Sequence, residues 1–178
     1  LFRTDSIHGY FHGVCRPLIE ENAMMLNGQK ILFLESKNPE DMDYEAYGIH
    51  DALLIDNTGA FRDRESLARH LQSKGVGKVL LTAPGKGEIP NVVYGVNQDT
   101  LDLENEKIFS AASCTTNAIV PGLQVMQNNF GIIKGHIETI HSYTNDQNLL
   151  DNYHKKERRG RSAALNMVIT ETGAGKAA

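Results

Sequence analysis

The sequence predicts an α/β protein with a mostly parallel sheet. Three apolar runs typical of buried strands occupy 52–56, 79–82 and 107–112, and a helix-like segment at 62–73 separates the first two. Uninterrupted apolar strands favour a parallel sheet that is covered on both faces, and ligands of such sheets bind beyond the carboxyl ends of the strands. We therefore expect functional residues where these strands end.

An antiparallel hairpin is predicted before this sheet. Asn27-Gly28 separates two apolar runs at 24–26 and 30–34, and both residue types tolerate the positive φ angles of a tight turn. A further strand is predicted at 92–96, after the breaker Ala83-Pro84-Gly85.

The pattern changes near Cys114. A helix is predicted from there, with Ile119, Leu123 and later apolar residues on one face, followed by an amphipathic strand at 133–141. An irregular polar stretch covers 142–161, and 165–170 is strand-like again. The sequence therefore predicts that a second domain begins near Cys114.

Composition excludes several classes of function. The 178 residues are 40% hydrophobic and 22% charged, which is ordinary for a globular protein, and the formal net charge of −4 gives no overall attraction to nucleic acid or to anionic membranes. Two cysteines without a Cys-x-x-Cys pair, and no secretory or membrane-spanning apolar stretch, predict a cytoplasmic location. Leu1 and the terminal Ala177-Ala178 lead us to expect part of a longer polypeptide.

Cys114 is the main candidate for chemistry. It stands where a predicted strand meets a predicted helix, and a helix N-terminus stabilises the thiolate that acts as a nucleophile. His141 ends the next predicted strand, and a helix of about 15 residues followed by a strand of about 10 would return the chain to its start. We expect the two side chains to meet. Taken alone, the pair is equally compatible with a buried cysteine and a structural histidine.

Other polar groups admit two interpretations. Basic residues in the irregular stretch could bind phosphate or form a solvated loop, and they lack the aromatic residues typical of nucleic-acid binding. These are Lys155, Lys156, Arg158, Arg159 and Arg161. His8, His12 and Cys15 have spacings that metal ligands can have, but no fourth ligand is evident, and we predict no metal site.

Four segments occur together, in order and at matching spacings. They are Ser113-Cys114-Thr115-Thr116-Asn117, His141-Ser142-Tyr143-Thr144-Asn145-Asp146-Gln147, Arg158-Arg159-Gly160-Arg161 and Thr172-Gly173-Ala174-Gly175-Lys176-Ala177. With them the chain resembles the phosphorylating glyceraldehyde-3-phosphate dehydrogenase family. Asn57-Thr58-Gly59 also fits, so the resemblance extends over essentially the whole chain.

The resemblance implies a Rossmann-type dinucleotide-binding domain at 1–113, without its N-terminal Gly-x-Gly-x-x-Gly unit, and the first part of an α+β catalytic domain at 114–178. It also implies a homotetramer that uses NAD or NADP, glyceraldehyde 3-phosphate and inorganic phosphate. Cys114 would form a thioester with the substrate and His141 would act as base.

The resemblance further assigns binding residues by position. Those for the substrate and phosphate anions are Ser113, Thr115, Thr144, Arg159, Thr172 and Gly173. Those for the cofactor are Thr58, Thr82 and Asn145.

Two alternatives and one open choice accompany this interpretation. The parent protein could be an erythrose-4-phosphate dehydrogenase, or the chain could be a non-enzymatic fragment, and we expect the chain alone not to complete a turnover. Asn152-Tyr153 replaces a Leu-Pro pair that often accompanies NAD preference in the family, so the choice between NAD and NADP stays open.

Overall fold

A computed structural model describes residues 2–171 and 173 of the chain. Within this part the strands are β1 (Thr4–Asp5), β2 (Gly9–Tyr10), β3 (Cys15–Leu18), β4 (Ala23–Leu26), β5 (Gln29–Leu32), β6 (Ala52–Asp56), β7 (Val76–Leu81) and β8 (Ile108–Ser110). The α-helices are α1 (Arg64–Ala68) and α2 (Cys114–Phe130). Short 3-10 turns lie at Ile19–Glu21, Pro39–Asp41, Glu45–Tyr47, Arg69–Gln72, Gln98–Thr100 and Glu157–Gly160.

The central sheet has the order β6-β7-β8, and both strand pairs are parallel. Asp56 pairs with Leu81 in register, and Leu81 pairs with Ser110, so the three strands end at one edge. The predicted α/β, Rossmann-like fold with a parallel sheet is therefore confirmed. Three predicted site residues, Thr58, Thr82 and Cys114, follow these strand ends.

The core lies between the sheet and α1. Leu67 of α1 packs with Val79 and Leu81 of β7 and with Ile89 and Ile108, and all five are buried. The predicted cover on both faces of the sheet is wrong within the described residues, because Leu53 and Ile55 of β6 remain 49% and 54% exposed on the other face. They project away from α1, since alternate residues of a strand point to opposite faces.

Shortening Leu67 to alanine is expected to destabilise the chain by roughly 2–5 kcal/mol, because the side chain is fully buried and its removal leaves a cavity. Urea unfolding followed by circular dichroism measures the loss. Ile55→Ala on the exposed face is the matched control, with an expected cost below about 1 kcal/mol. Equal losses of unfolding free energy in the two variants would contradict a core that lies only on the α1 face of the sheet.

The predicted hairpin is confirmed. Strands β4 and β5 are antiparallel, with Leu26 opposite Gln29, and the two turn residues Asn27 and Gly28 have φ angles of 47° and 86°. Positive φ at both central positions is the geometry of the type I′ turn that suits twisted strands. Strand β3 pairs with β4 to complete an antiparallel sheet, and β1 pairs with β2 separately.

Three predicted strands do not form. The chain turns after Val93, because the Asn97 side chain accepts from Val93 N–H at 2.7 Å and donates to Asn91 C=O at 3.0 Å. The segments 133–141 and 165–170 lack strand structure as well. The alternation of apolar and polar residues determines which face of a strand is buried, but it does not provide a neighbouring strand to hydrogen-bond with. In the described part of the chain, neither segment has such a neighbour.

Helix α2 is only partly covered. Its predicted inner residues Ile119 and Leu123 are half-buried, whereas Met126 and Phe130 near its end are exposed. Within the described ranges, neither helix is long and apolar enough to cross a membrane.

Candidate active site

The turn from β8 into α2 fixes the position of Cys114. Ser113 caps the helix, since its hydroxyl oxygen accepts from Thr116 N–H at 3.0 Å, and Cys114 is the first helical residue. The Asn117 side chain donates to the carbonyls of Ala111 and Ser113 at 2.8 and 2.9 Å. These bonds tie the helix start to the strand end, so the sulfur is held at the carboxyl edge of the sheet.

His141 lies against the sulfur. Its Nε2 is 3.7 Å from Cys114 Sγ, and its Nδ1 is 2.6 Å from the Ser142 carbonyl oxygen. A carbonyl oxygen only accepts hydrogen bonds, so Nδ1 carries a proton and Nε2 faces the thiol. This tautomer leaves Nε2 able to take the thiol proton and, once protonated, to donate to the thiolate.

The two groups shift each other's pKa in opposite directions. The hydrogen bond from His141 is the largest cause of the lowered pKa of Cys114, and the Thr115 hydroxyl, 4.0 Å from the sulfur, acts in the same direction. The hydrogen bond with Cys114, followed by that with Ser142, raises the pKa of His141. Both shifts favour a thiolate–imidazolium pair. Both side chains are exposed, so water moderates their attraction.

A cavity of about 1030 Å³ lies next to this pair. Ser113, Thr115 and Gly173, three of the residues predicted to bind anions, line it, while Cys114 and His141 do not. Thr115 contacts both the cavity and the catalytic pair, because its hydroxyl oxygen also lies 4.0 Å from Cys114 Sγ. Thr172, predicted to act with Gly173, lies outside the described residues.

Arg159 brings positive charge towards the pair. It is ion-paired with Asp146, which also lies 3.6 Å from Lys156 and 3.8 Å from His154. The charge of Arg159 lowers the pKa of His141 and so opposes the larger effect of Cys114. The predicted role of Arg159 in anion binding stays a prediction.

Thr144 and Asn145 are not joined to the pair. Both are exposed, and within the described part of the chain neither forms a hydrogen bond with Cys114 or His141. Their predicted binding roles stay predictions.

The predicted cofactor residues Thr58 and Thr82 follow the ends of β6 and β7. Both contact Asp56: Thr58 donates from N–H and Oγ1 to Asp56 Oδ1 at 2.7 Å each, and Thr82 donates from N–H and Oγ1 to the Asp56 carbonyl at 3.1 Å each. Asp56 in turn meets His70, whose Nε2 lies 3.2 Å from Asp56 Oδ2. The structure thus gathers the two threonines around one buried residue.

Sequence reasoning missed Asp56 and His70. The available clue was the spacing of His70, which follows Leu67 by three positions and so lies on the same helix face, towards the core. A polar side chain on that face needs a buried partner, and Asp56 at a strand end is one.

The structure does not bring His8, His12 and Cys15 together as a group of metal ligands. Among residues 2–171 and 173, no three His, Cys, Asp or Glu side chains form a group that could hold a metal ion, so His8, His12 and Cys15 do not make one.

The fold and the site together define a Rossmann-like α/β protein with a cysteine–histidine pair at the sheet edge. Residues 1–64 match the family profile "Glyceraldehyde 3-phosphate dehydrogenase, NAD binding domain", and residues 113–178 match the profile of the C-terminal domain of the same enzyme. The chain belongs to the glyceraldehyde-3-phosphate dehydrogenase family.

Curated relatives match along nearly the whole chain. It is 54% identical over 178 residues to a glyceraldehyde-3-phosphate dehydrogenase-like protein of Pseudomonas aeruginosa, covering 100% of the chain and 38% of that protein. It is 47% identical to the chloroplastic glyceraldehyde-3-phosphate dehydrogenase A of Zea mays and 44% identical to the glyceraldehyde-3-phosphate dehydrogenase of Thermotoga maritima, with 99% of the chain covered in each. The chain spans 43% and 51% of those two relatives, about half their length.

Proposed function

We propose that the polypeptide carrying this chain is a phosphorylating, NAD(P)-dependent glyceraldehyde-3-phosphate dehydrogenase. It converts glyceraldehyde 3-phosphate and inorganic phosphate to 1,3-bisphosphoglycerate. The observation that carries the proposal is the Cys114–His141 contact at 3.7 Å, in a chain whose family is known. A thiolate beside a proton-accepting imidazole is the arrangement that aldehyde oxidation through a thioester requires.

The chemistry begins at the sulfur. The Cys114 thiolate attacks the aldehyde carbon, and the protonated His141 Nε2 gives its proton to the carbonyl oxygen, which yields a hemithioacetal and a neutral imidazole. His141 Nε2 then accepts the hydroxyl proton as the C–H electron pair leaves, which produces a thioester. The nicotinamide of the bound cofactor supplies the hydride acceptor. A phosphate oxygen attacks the thioester carbon, Cys114 departs as a thiolate, and an acyl phosphate results.

The remaining predicted residues bind the anions of this reaction. Ser113, Thr115 and Gly173 line the cavity beside the sulfur, which supports assigning them to phosphate. Arg159 supplies positive charge near His141, and Thr144 is assigned to the substrate phosphate from its position in the sequence. Thr172 is assigned to the attacking phosphate on the same basis.

The residues at the sheet edge fit a dinucleotide. Thr58 and Thr82 are exposed at the carboxyl ends of adjacent parallel strands, where α/β proteins bind such ligands. We assign them, with Asn145, to the NAD or NADP site. The proposal includes a division into a cofactor domain at 1–113 and a catalytic domain from 114, a cytoplasmic location and a homotetrameric assembly.

Steady-state rates of the full-length protein test this function. We expect cofactor reduction with glyceraldehyde 3-phosphate to require inorganic phosphate and to exceed the rate with erythrose 4-phosphate. Omitting phosphate should reduce turnover by at least about tenfold, because the thioester can then be released only by slow hydrolysis. Oxidation at the same rate without phosphate, or a preference for erythrose 4-phosphate, would contradict the proposal. Comparing NAD with NADP in the same assay decides the cofactor.

A further inference from the structure

Asp56 and His70 form a buried polar pair that the proposed chemistry does not use. The Asp56 side chain is 0% exposed and that of His70 is 11% exposed, and they meet at 3.2 Å. Burying a carboxylate is costly unless each of its oxygens finds a donor. Here Oδ2 faces the imidazole Nε2, and Oδ1 accepts both donors of Thr58.

The His70 ring also packs against a neighbouring aromatic side chain. The ring of Phe61 packs edge-to-face against His70, with centroids 5.4 Å apart. Arg69 lies 5.6 Å from the Phe61 ring centroid and is anchored by two hydrogen bonds to Glu40 at about 3 Å. The His70 ring therefore has little freedom to leave Asp56.

Asp56 connects the two threonines of the predicted cofactor site. Its carboxylate holds Thr58, and its main-chain carbonyl accepts from both the N–H and the hydroxyl of Thr82. We propose that His70 is a positioning residue which, through Asp56, sets the places of Thr58 and Thr82 for dinucleotide binding. This inference rests on the proposed function.

The hydrogen bonds also define what the threonines offer a ligand. Both hydroxyl protons are already donated to Asp56, so the two oxygens present lone pairs outwards. One lone pair of Thr58 accepts from Ala60 N–H at 3.2 Å. The site therefore suits donor groups of the cofactor, such as ribose hydroxyls or the carboxamide N–H, rather than its phosphates.

Substitutions at His70 test the proposal in the full-length protein. We expect His70→Leu to weaken NAD binding about tenfold, measured by titration calorimetry, because Asp56 loses a buried donor. We expect the turnover rate at saturating cofactor to change less than the Michaelis constant. His70→Gln, whose amide N–H can reach Asp56, should restore affinity to within about twofold.

Ser73→Ala is the matched control, since Ser73 is buried in the same segment and donates to the Pro39 carbonyl at 2.6 Å without touching Asp56. Equal loss of affinity in Ser73→Ala and His70→Leu would overturn the proposal, because both would then act by loosening the helix. Failure of glutamine to rescue would overturn it too. If His70→Leu does not fold, His70→Asn, which is too short to reach Asp56, replaces it.

A second measurement needs no cofactor. Methyl NMR of the ligand-free protein should show shifted resonances for Thr58 and Thr82 in His70→Leu but not in Ser73→Ala. Unchanged threonine resonances would overturn the positioning role. If the unmodified protein does not bind NAD or NADP, the cofactor part of the proposed function fails, and the resonances still decide whether His70 positions the threonines.

Discussion

Replacing Cys114 with serine is expected to reduce cofactor reduction by the full-length protein by about 10⁴-fold or more, the scale on which removal of a catalytic nucleophile acts. A serine hydroxyl does not ionise near neutral pH, so the lowered pKa that His141 gives the thiol has no equivalent. Steady-state rates with glyceraldehyde 3-phosphate, phosphate and NAD or NADP measure the loss.

The chain offers its own control for this change. Cys15 is the other cysteine; it lies on β3, opposite Leu26, in a sheet separate from the one that leads to Cys114, and the two cysteines are not bonded to each other. Cys15→Ser should retain at least about half of the activity, as for most changes remote from a site. Activity that survives Cys114→Ser, or that is lost equally in both variants, would remove the thioester from the mechanism.

The sequence predicted those parts of the fold whose cause is local. Asn27 and Gly28 tolerate positive φ wherever they stand, so the hairpin follows from two residues. The apolar runs of β6 and β7 form a parallel pair because the helical segment between them carries the chain back to the end of the sheet where β6 began. The predictions at 133–141 and 165–170 failed because a strand also needs a neighbour, and no local pattern specifies where that neighbour is.

The same division applies to the site. Helix length and chain direction predicted that His141 would approach Cys114, and the two meet although the intervening segment is not a strand. The spacing of His70 predicted only that its side chain is buried; its pairing with Asp56 depends on how the 3-10 turn Arg69–Gln72 packs against the sheet. Residue type alone indicates that a buried carboxylate needs donors and leaves open which residues provide them.

The Thr115 backbone N–H, in the first turn of α2, lowers the pKa of Cys114 as the sequence analysis predicted, but the hydrogen bond from His141 lowers it more. We expected the start of α2 to hold the thiolate, and Cys114 is indeed its first residue. The largest cause of the lowered pKa is nevertheless the hydrogen bond from His141. A helix end contributes only about 0.3–1 kcal/mol at an exposed site, so a directly bonded imidazolium outweighs it. The histidine should therefore control when the sulfur ionises.

Substituting His141→Asn is expected to shift the pH dependence of Cys114 alkylation upwards and to lower turnover by about 10²–10⁴-fold. Alkylation follows the thiolate, so its rate rises as pH passes through the pKa of Cys114, which His141 lowers. Without the imidazole, the pKa of Cys114 should rise towards that of an ordinary thiol, so less of the thiol is ionised at neutral pH.

Iodoacetamide labelling at a series of pH values, with mass spectrometry locating the label, measures this shift. His12→Asn is the control, because His12 is an exposed histidine on the N-terminal segment that touches Tyr10 rather than the sulfur. It should leave the midpoint unchanged. If His141→Asn also leaves the midpoint in place, the helix start and Thr115 must ionise the thiol by themselves. The role of His141 would then be confined to moving the proton of the hemithioacetal.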